Sequence, residues 1–420
     1  MISKVLIIED SPLVMKIIRH VARSELKDLD PIYAHTLKEA QAIYNTHKDS
    51  IYAALADLTL PDAANGEVVD YLLENNVPTI VLTASVDDTK RETLLNKGVV
   101  DYVIKESRFS YSYAIGLLNR LYRNQNIKVL VAEDSLPQRN FIIQRLTEHQ
   151  FQTISASNGV EALKQLNENP DIKLLITDYN MPEMDGFELV KTIRHSIGKN
   201  DLIIIGLSVQ ELDKGSLSAK FIKNGANDFL SKPFNHEEFN CRIKHNIESL
   251  ELLEATLYQA NNDFLTGLPN RRCFFNAGEI AHKEASKNKT PLSAAVLDLD
   301  WFKSVNDDHG HDAGDKVLQF FSDQIKGFFA DYITTLGRTG GEEFCILLPG
   351  LNSYEAGEFI DEFRQAVINQ VIYINEDTEL KITFSCGVSD DPCDSLDHQI
   401  AKADENLYRA KDEGRNRVVY

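Results

Sequence analysis

The chain contains 420 residues, with 64 acidic against 44 basic side chains, so its formal net charge is −20 at pH 7. This length predicts about three domains, and the excess of acids argues against a surface that binds nucleic acid or anionic lipid. Hydrophobic residues make up 43% of the chain and charged residues 26%, a composition of folded proteins that excludes general disorder.

The N-terminal segment and the cysteines indicate a reducing compartment. The chain begins with an apolar strand pattern ending at Glu9 and Asp10, without the basic segment, long apolar region and cleavage site of a signal peptide. No apolar stretch approaches the roughly 20 residues of a transmembrane helix. The five cysteines lack a C-x-x-C pair, so we expect reduced packing residues and neither disulfides nor zinc. We therefore expect a cytoplasmic protein with no membrane or nucleic-acid partner.

A segment of apolar residues ending in acids occurs twice, 124 positions apart. In each copy, another acid, a hydroxyl and a lysine follow further apolar runs. These positions are Glu9, Asp10, Asp57, Thr83 and Lys105 in the first copy, and Glu133, Asp134, Asp178, Ser208 and Lys232 in the second. Between them, Val/Ile/Leu-rich runs alternate with amphipathic helical stretches, which predicts a parallel sheet covered on both faces. The sequence therefore predicts two duplicated α/β domains.

The chemistry of this set follows from the place where function collects in such sheets, the carboxyl ends of the strands. Three neighbouring carboxylates hold a divalent cation through oxygen ligands, and the cation offsets their repulsion. One carboxylate can then accept a phosphoryl group, while the cation and the lysine neutralise its charge and the hydroxyl binds a phosphoryl oxygen. The alternative, acids that are merely solvated, is disfavoured because the set occurs twice.

Both copies resemble the receiver domains of two-component response regulators, over residues 1–124 and 125–247. The second is the closer match, through the run Asp178–Gly186 and the pair Lys232-Pro233. The resemblance implies flavodoxin-like (CheY-like) folds with parallel sheets, one Mg²⁺ per receiver, and a histidine kinase or phosphotransfer protein as phosphodonor. It also implies that Asp57 and Asp178 are phosphorylated and that Tyr102 and Phe229 are aromatic switch residues.

The first copy departs from the receiver pattern at Glu106, where the family usually has proline after the lysine. Because a cis peptide bond is costly without proline, we expect Lys105 to be held differently from its counterpart. We therefore favour Asp178 as the main phosphoacceptor, with Asp57 left open as a second.

A helix without Pro or Gly is predicted from Glu237 to Ala260, continuous with the last receiver helix and forming a linker over 248–261. Its apolar residues recur about every 3.5 positions, which is typical of a helix that pairs with a partner chain. A receiver helix packed only on its own sheet explains the pattern up to Ile247. We expect Leu250, Leu253 and Leu257 to need a partner, and so predict a homodimer through the receivers and this helix.

Residues 262–420 carry a different constellation of acids. A buried-strand pattern leads into Asp298, and two extended runs are joined by Gly340 and Gly341, followed at once by Glu342 and Glu343. The glycines permit positive φ and leave room for a nucleotide to approach the turn. Carboxylates on adjacent strands can hold one or two Mg²⁺ ions, as nucleotidyl transfer requires.

Further polar residues in this segment suit a guanine nucleotide. An aspartate accepts from both N1–H and the exocyclic amine of guanine, whereas adenine presents an acceptor at N1, so Asn306 and Asp315 favour guanine. Lys303 is placed to meet a phosphate. Lys411 and Arg415, four apart on a predicted helix, suit a triphosphate; solvated basic residues are the alternative.

These motifs, with the run Asp263–Arg272, resemble the GGDEF family of diguanylate cyclases, and the whole chain resembles regulators with two receivers and one such domain. The resemblance implies a palm-like α+β domain with a βαββαβ core, which condenses two GTP to cyclic di-GMP and two pyrophosphates. It implies two Mg²⁺ per site on Asp298, the Leu299 carbonyl and Glu342, with Glu343 assisting. The remaining implied contacts are guanine on Asn306, Asp315 and Leu265, and phosphates on Lys303, Lys411 and Arg415.

The mechanism implied by this resemblance needs two output domains, since each supplies half of a two-substrate reaction. Phosphorylation would shift the population of dimer arrangements through the helix at 237–260. The general base stays open between Glu342 and a metal-bound water. Two other functions also stay open: a silent domain that only binds nucleotide, and a phosphorelay intermediate. The family's R-x-x-D inhibitory site is replaced by Asp331–Thr334, which predicts weak or absent product inhibition there.

Overall fold

The protein is described by a computed structural model that covers residues 3–84, 88–209, 217–375, 378–391 and 395–420. It divides into two compact units, residues 1–251 and 252–420. The first unit contains two five-stranded sheets and the second a further five-stranded sheet with a small two-stranded one.

The first module of the N-terminal unit is a parallel sheet of strand order β2-β1-β3-β4-β5. Its elements are β1 (Ser3–Ile8), α1 (Pro12–Glu25), β2 (Leu29–Ala34), α2 (Leu37–His47), β3 (Ile51–Asp57), α3 (Glu67–Glu74), β4 (Thr79–Thr83), α4 (Asp88–Lys97), β5 (Asp101–Ile104) and α5 (Arg108–Asn124). One apolar cluster packs α1 and α5 on one face, and a second packs α2, α3 and α4 on the other. Burial on both faces accounts for the continuous apolar strands.

The second module repeats this topology with strand order β10-β9-β8-β6-β7, again all parallel. Its elements are β6 (Lys128–Ala132), α6 (Leu136–Glu148), β7 (Gln152–Ala156), α7 (Gly159–Glu168), β8 (Ile172–Asp178), α8 (Gly186–Arg194), β9 (Ile203–Val209), α9 (Leu217–Lys223), β10 (Asp228–Lys232) and α10 (His236–Asn261). The predicted pair of flavodoxin-like sheets is confirmed.

Helix α10 is a single helix of 26 residues, as the spacing of its apolar residues predicted. Phe239, Ile243, Ile247 and Leu250 are buried in the core of the second module. The expectation that Leu250 needs a partner chain is therefore wrong, because its side chain packs on its own sheet. Leu257, by contrast, is 47% exposed.

The C-terminal unit is a mixed sheet of order β12-β13-β11-β16-β17, in which the central β11 is antiparallel to both neighbours. Its elements are α11 (Arg271–Asn288), β11 (Leu292–Leu299), α12 (Phe302–His309), α13 (His311–Phe328), β12 (Thr335–Arg338), β13 (Glu343–Pro349), α14 (Ser353–Ile368), β14 (Ile372–Asn375), β15 (Thr378–Leu380), β16 (Phe384–Ser389), α15 (Leu396–Asp412) and β17 (Val418–Val419). The predicted α+β class is confirmed.

Two layers of helices cover this sheet. A phenylalanine-rich core under α13 and α14 includes Phe321, Phe344, Phe363 and Phe384, and a smaller cluster packs α11 and α15 on the opposite face. Helix α15 lies so close to β16 that a Cβ on Gly387 would come within 2.1 Å of backbone atoms of the helix. This close packing fixes where the end of α15 meets the end of β11.

The described cysteines are free thiols, with Cys345 and Cys386 buried. Cys241 is exposed, so the expectation of a packing role is wrong for that residue. Cys393 lies outside the described residues. Within the part of the chain that the structure covers, no helix has the length and apolar character needed to span a bilayer.

Candidate functional sites

The first module gathers its predicted site residues at the carboxyl edge of its sheet. The Lys105 ammonium lies 2.6 Å from Asp57 Oδ2 and 2.7 Å from Glu9 Oε2, and both carboxylates are buried. Ligand oxygens of Glu9, Asp10 and Asp57 lie within 4.8 Å of one another, which suits a hard divalent cation. Asp10 is the exposed member, so a cation can reach the cluster from solvent.

The second module repeats this arrangement. Glu133, Asp134 and Asp178 bring their ligand oxygens within 4.8 Å, and among the described residues no third group of this kind occurs. The Lys232 ammonium lies 2.6 Å from Glu133 Oε2 and also contacts Asp178 Oδ1. The peptide bond after Lys232 is cis, unlike the bond after Lys105, yet each lysine contacts the corresponding glutamate and aspartate of its own module. The expectation that Lys105 is held differently is therefore wrong for its charged group.

Burial governs the electrostatics of both clusters. It raises the pKa of Glu9 and of Glu133, although hydrogen bonds to the lysines act in the opposite direction. For Lys105, burial acts to lower the pKa, but hydrogen bonds to Asp57 and Glu9 raise it overall. Lys105 therefore stays protonated beside Glu9 and Asp57, where its charge can neutralise a phosphoryl group.

The two predicted hydroxyl residues also lie at or near the carboxyl ends of their strands. Thr83 is the last residue of β4 and is 4% exposed. Ser208 lies one residue before the end of β9 and is 2% exposed. Ser208 Oγ is buried and has no hydrogen-bond partner among the described residues. An unpaired buried hydroxyl is costly, so Ser208 is well suited to bind an incoming phosphoryl oxygen.

The two predicted switch aromatics have different surroundings. Phe229 is buried in the core of its own module against Phe221, with ring centroids 5.6 Å apart. The Tyr102 hydroxyl instead donates a hydrogen bond to Glu237 Oε1 in the first turn of α10. Tyr102 of the first module is thus tied to the last helix of the second.

Further contacts join the two modules within the N-terminal unit. Arg120 on α5 is 6% exposed and donates two hydrogen bonds, of 2.7 and 2.8 Å, to the carboxylate of Glu251 on α10. Asn124 Nδ2 donates to the carbonyl of His149, at 2.8 Å. Burial, with the nearby charge of Arg145, lowers the pKa of His149 to about 4. The interface therefore combines a part-buried ion pair with a buried neutral histidine.

In the C-terminal unit, the predicted acids meet where β11 ends beside the β12–β13 hairpin. Lys411 Nζ lies 2.8 Å from Asp298 Oδ2, and Asp298 is 6% exposed. Burial raises the pKa of Asp298, and burial together with the charge of Asp298 raises that of Glu342. The two carboxylates thus repel each other at a position where a lysine ammonium partly offsets their charge.

Of the two properties expected of the hairpin glycines, positive φ is absent and open space is present at Gly341. Neither Gly340 nor Gly341 is among the residues with positive φ, so the turn does not require glycine for its backbone. A Cβ on Gly341 would meet nothing within 4 Å, whereas one on Gly340 would lie 2.4 Å from Glu343 Oε2. Gly340 makes room for the exposed Glu343 side chain, and Gly341 leaves open space above the turn.

The residues assigned to the base lie on the helical pair α12 and α13. The Asn306 amide packs against Gly314, where an added Cβ would lie 2.0 Å from Asn306 Oδ1, and Asp315 follows on the same turn. Leu265 packs against the core, and its carbonyl accepts a hydrogen bond of 3.5 Å from Gln319 on α13. Lys303 is exposed in the first turn of α12, whose N-terminus favours anions.

Three residues of this region were given no site role in the sequence analysis. Asp300 is buried, and its carboxylate accepts hydrogen bonds from Thr383 Oγ1 and Ser385 Oγ, both at 2.7 Å. Trp301 stacks under the guanidinium of Arg415. Asp263 receives a 2.7 Å hydrogen bond from Arg338 Nη1. The sequence offered one indication of Asp300, which follows Asp298 by two residues. Its hydrogen-bond partners could not be predicted, because they lie more than 80 positions further along the chain.

Comparison with known proteins decides the family. The family described as "Response regulator receiver domain" matches residues 5–111 and 129–244, and "Diguanylate cyclase, GGDEF domain" matches residues 260–417. The chain belongs to the response regulators with a GGDEF domain. A solved structure of a two-component system response regulator/GGDEF domain protein is 45% identical to this response regulator, with a TM-score of 0.55. That match covers 59% of this chain and 99% of the other.

Curated relatives of this GGDEF response regulator include "Response regulator PleD" of Caulobacter vibrioides (strain NA1000 / CB15N), 30% identical over 294 residues. The match covers 65% of this chain and 63% of PleD, less than two thirds of that relative's length. "Diguanylate cyclase DgcP" of Pseudomonas aeruginosa is 38% identical over 169 residues, covering 40% of this chain and 25% of DgcP.

Proposed function

We propose that this response regulator is a diguanylate cyclase, which condenses two GTP molecules into cyclic di-GMP and two pyrophosphates under the control of phosphorylation. The observation that carries the proposal is the meeting of Asp298, Glu342 and Lys411 where β11 ends beside the Gly-Gly hairpin. Two mutually repelling carboxylates beside an open turn form a site for cations and a polyphosphate.

The donor set of the GGDEF domain fits magnesium. Asp298 and Glu342 supply hard carboxylate oxygens. Burial raises the pKa of both, and the charge of Asp298 adds to this at Glu342, so a bound cation would stabilise their ionised forms. The Leu299 carbonyl completes the proposed ligands, and two ions per site are proposed. Mg²⁺ bound there would neutralise phosphate charge and make the α-phosphorus more electrophilic.

The remaining residues of the domain hold and orient the nucleotide in this proposal. Asn306 and Asp315 hydrogen-bond the guanine edge, with Leu265 beside it. The cations for the phosphates are Lys303, Lys411 and Arg415, and Glu343 assists beside the turn. Because binding already fixes the orientation of the substrate, the reaction step itself carries a smaller entropic cost.

The reaction joins nucleotides held by two chains. The 3′-hydroxyl oxygen of one GTP forms a bond to the α-phosphorus of the other, the bond from that phosphorus to the bridging oxygen breaks, and pyrophosphate leaves. The hydroxyl proton passes to Glu342 or to water. The same step in the opposite direction closes the ring, so two GGDEF domains must face one another in a homodimer.

In this proposal the two receivers control the activity of the GGDEF domain. A histidine kinase or phosphotransfer protein donates a phosphoryl group to Asp178 as main acceptor, with Asp57 as a second. One Mg²⁺ per receiver binds the acids, while Lys232 and Ser208, or Lys105 and Thr83, bind the phosphoryl oxygens. The modified receivers shift the population of dimer arrangements through α10.

The test uses the purified full chain with GTP and Mg²⁺, with and without beryllofluoride as a phosphoryl mimic, and identifies the nucleotide products. We expect cyclic di-GMP and pyrophosphate, formed faster with beryllofluoride. Glu342→Ala should abolish turnover, whereas Glu362→Ala, an exposed acid on α14, should not. A folded, beryllofluoride-treated sample that binds GTP and releases no pyrophosphate would contradict the proposal and indicate a nucleotide-binding module.

A further inference from the structure

Trp301 occupies an unusual position next to the cyclase site. It follows the buried Asp300 directly, is the only tryptophan in the sequence, and is 64% exposed. Its backbone is left-handed, with φ of 59° and ψ of 23°. A bulky residue in this conformation is a rare and strained exception, and such strain collects at functional sites.

The ring of Trp301 lies against a cation already assigned to the phosphates. The Arg415 guanidinium carbon is 4.1 Å from the ring centroid, within the range of a cation–π contact. No described residue accepts a hydrogen bond from that guanidinium. A guanidinium that turns its flat face to a ring keeps its N–H donors, which lie in its plane, available for an anion.

The backbone of the turn that carries Arg415 is also held in place by hydrogen bonds. Asn416 N donates a 3.0 Å hydrogen bond to Asp300 Oδ2, and Asn416 Oδ1 accepts one of 2.8 Å from Arg364 Nη1. Arg415 and Asn416 both have positive φ, at 65° and 47°. Asp300 thus anchors the backbone of the turn after α15, and the next residue, Trp301, anchors the side chain that the turn presents.

We infer that Trp301 is a positioning residue for the triphosphate: its ring holds the Arg415 guanidinium at a fixed place and angle beside Lys411. The inference rests on the proposed function, in which Arg415 and Lys411 bind the phosphates of GTP. A free arginine side chain must lose rotamer entropy when it binds, and stacking on a rigid ring removes part of that cost beforehand.

This position also makes Trp301 a spectroscopic reporter. An anion that binds Arg415 changes the charge against the indole face, and no second tryptophan in the sequence contributes emission. Guanosine, which lacks phosphates, does not reach Arg415 in this arrangement. Tryptophan emission should therefore respond to the phosphates and not to the base.

The experiment measures binding of a GTP analogue with a methylene bridge between the α and β phosphorus atoms to the full chain, by calorimetry and by tryptophan emission. Trp301→Ala should weaken binding about two- to fivefold, the size of an exposed cation–π contact. Trp301→Phe should recover most of this loss, because its ring still presents a face to Arg415. Turnover at saturating GTP should change less than the dissociation constant in both variants.

Two controls make the result decisive. Tyr373→Ala removes another aromatic side chain of the same unit, 67% exposed on β14, and should leave binding unchanged. Arg415→Gln should abolish the emission change that the analogue causes in the parent chain. Unchanged binding by Trp301→Ala, or an emission change that persists in Arg415→Gln, would overturn the inference. Failure of the parent chain itself to bind the analogue would instead contradict the proposed function.

Discussion

At the scale of single residues, the two receivers carry nearly equivalent clusters of acids around a lysine. In both, a buried aspartate contacts a lysine that also contacts a buried glutamate. The most evident differences near the aspartates are the hydroxyl, Thr83 or Ser208, and the residue after the lysine. Geometry alone therefore does not rank Asp57 against Asp178, and the ranking stays a prediction.

The first prediction concerns the main acceptor. Asp178→Asn should abolish activation by a phosphodonor, since the amide cannot accept the phosphoryl group, while turnover without a donor is retained. A coupling of ordinary size corresponds to activation of about 5- to 150-fold. The ratio of pyrophosphate release with and without the donor measures this activation directly. Activation that survives in Asp178→Asn and vanishes in Asp57→Asn would reverse the assignment.

The second prediction is a pH dependence at the receiver interface. His149 has a pKa of about 4 when folded, against 6.5 ordinarily, because burial and Arg145 disfavour its charged form. Between these values the unfolded chain binds a proton that the folded chain does not. The contribution of neutral His149 is thus complete above pH 6.5 and is lost as the pH falls towards 4, by up to about 3 kcal/mol.

This dependence is measured by urea unfolding of the N-terminal unit in the full chain, followed by circular dichroism at several pH values. His149→Gln stays neutral throughout, so its midpoint should fall less over this window than that of the parent chain. His195→Gln, an exposed histidine on the second receiver, should behave like the parent. Equal pH dependence in His149→Gln and the parent chain would disprove the assignment.

Much of the candidate sites was predictable at this scale. The acids, hydroxyls and lysines of the receivers were found because parallel strands deliver their carboxyl ends to one edge, so position in sequence implies proximity. Asp298 and Lys411 were placed in one site by the resemblance to the GGDEF family, although their direct contact was not predicted. The contacts of Trp301 with Arg415 and of Tyr102 with Glu237 were not predictable, because no motif links these positions and each contact depends on the packing of whole elements.

At the scale of elements, α10 is packed in the second receiver and also contacts the first. Its apolar face is buried in the second receiver, while Glu237 and Glu251 accept hydrogen bonds from Tyr102 and Arg120 of the first. The spacing of apolar residues predicted this helix but placed the limit of its buried face one turn too early, at Ile247. Periodicity shows which face is apolar, whereas the depth of the neighbouring core decides how far that face is covered.

The third prediction tests the ion pair that joins α5 to α10. Arg120→Met should lower the free energy of opening of α5 and of the middle of α10 by about 1–3 kcal/mol, because the Glu251 carboxylate loses two charged hydrogen bonds. Hydrogen exchange of the full chain measures this. Lys164→Met removes a 3.8 Å pair between exposed side chains on α7 and should stay within about 0.5 kcal/mol. Equal effects of the two changes would contradict the role given to Arg120.

At the scale of the whole molecule, the proposed reaction needs two chains, so the fourth prediction concerns self-association. Leu257→Asp places a charge on the exposed apolar side of α10 and should weaken the dimer about 100-fold or more, because each of two subunits loses a buried leucine. Sedimentation measures the association and pyrophosphate release measures the turnover, which should fall at low protein concentration. Gln259→Asp adds the same charge nearby and serves as control. A Leu257→Asp dimer as tight as the parent's would exclude this surface.

The fifth prediction concerns feedback by the product. Asp331–Thr334 lacks the arginine and aspartate of the family's inhibitory site, so micromolar cyclic di-GMP should leave turnover nearly unchanged. The double change Asp331→Arg with Thr334→Asp restores both charged groups and should introduce inhibition. Strong suppression of the parent chain by added product would show that inhibition operates without this motif.

The contacts of α10 with both receivers have a consequence for the proposed control. If separate donors modify Asp57 and Asp178, each combination of modified and unmodified receivers would alter a different set of contacts on this one helix. Two signals would then be combined at α10, and neither would need an output domain of its own. Under this proposal, duplicated receivers make the response depend on whether the two signals coincide.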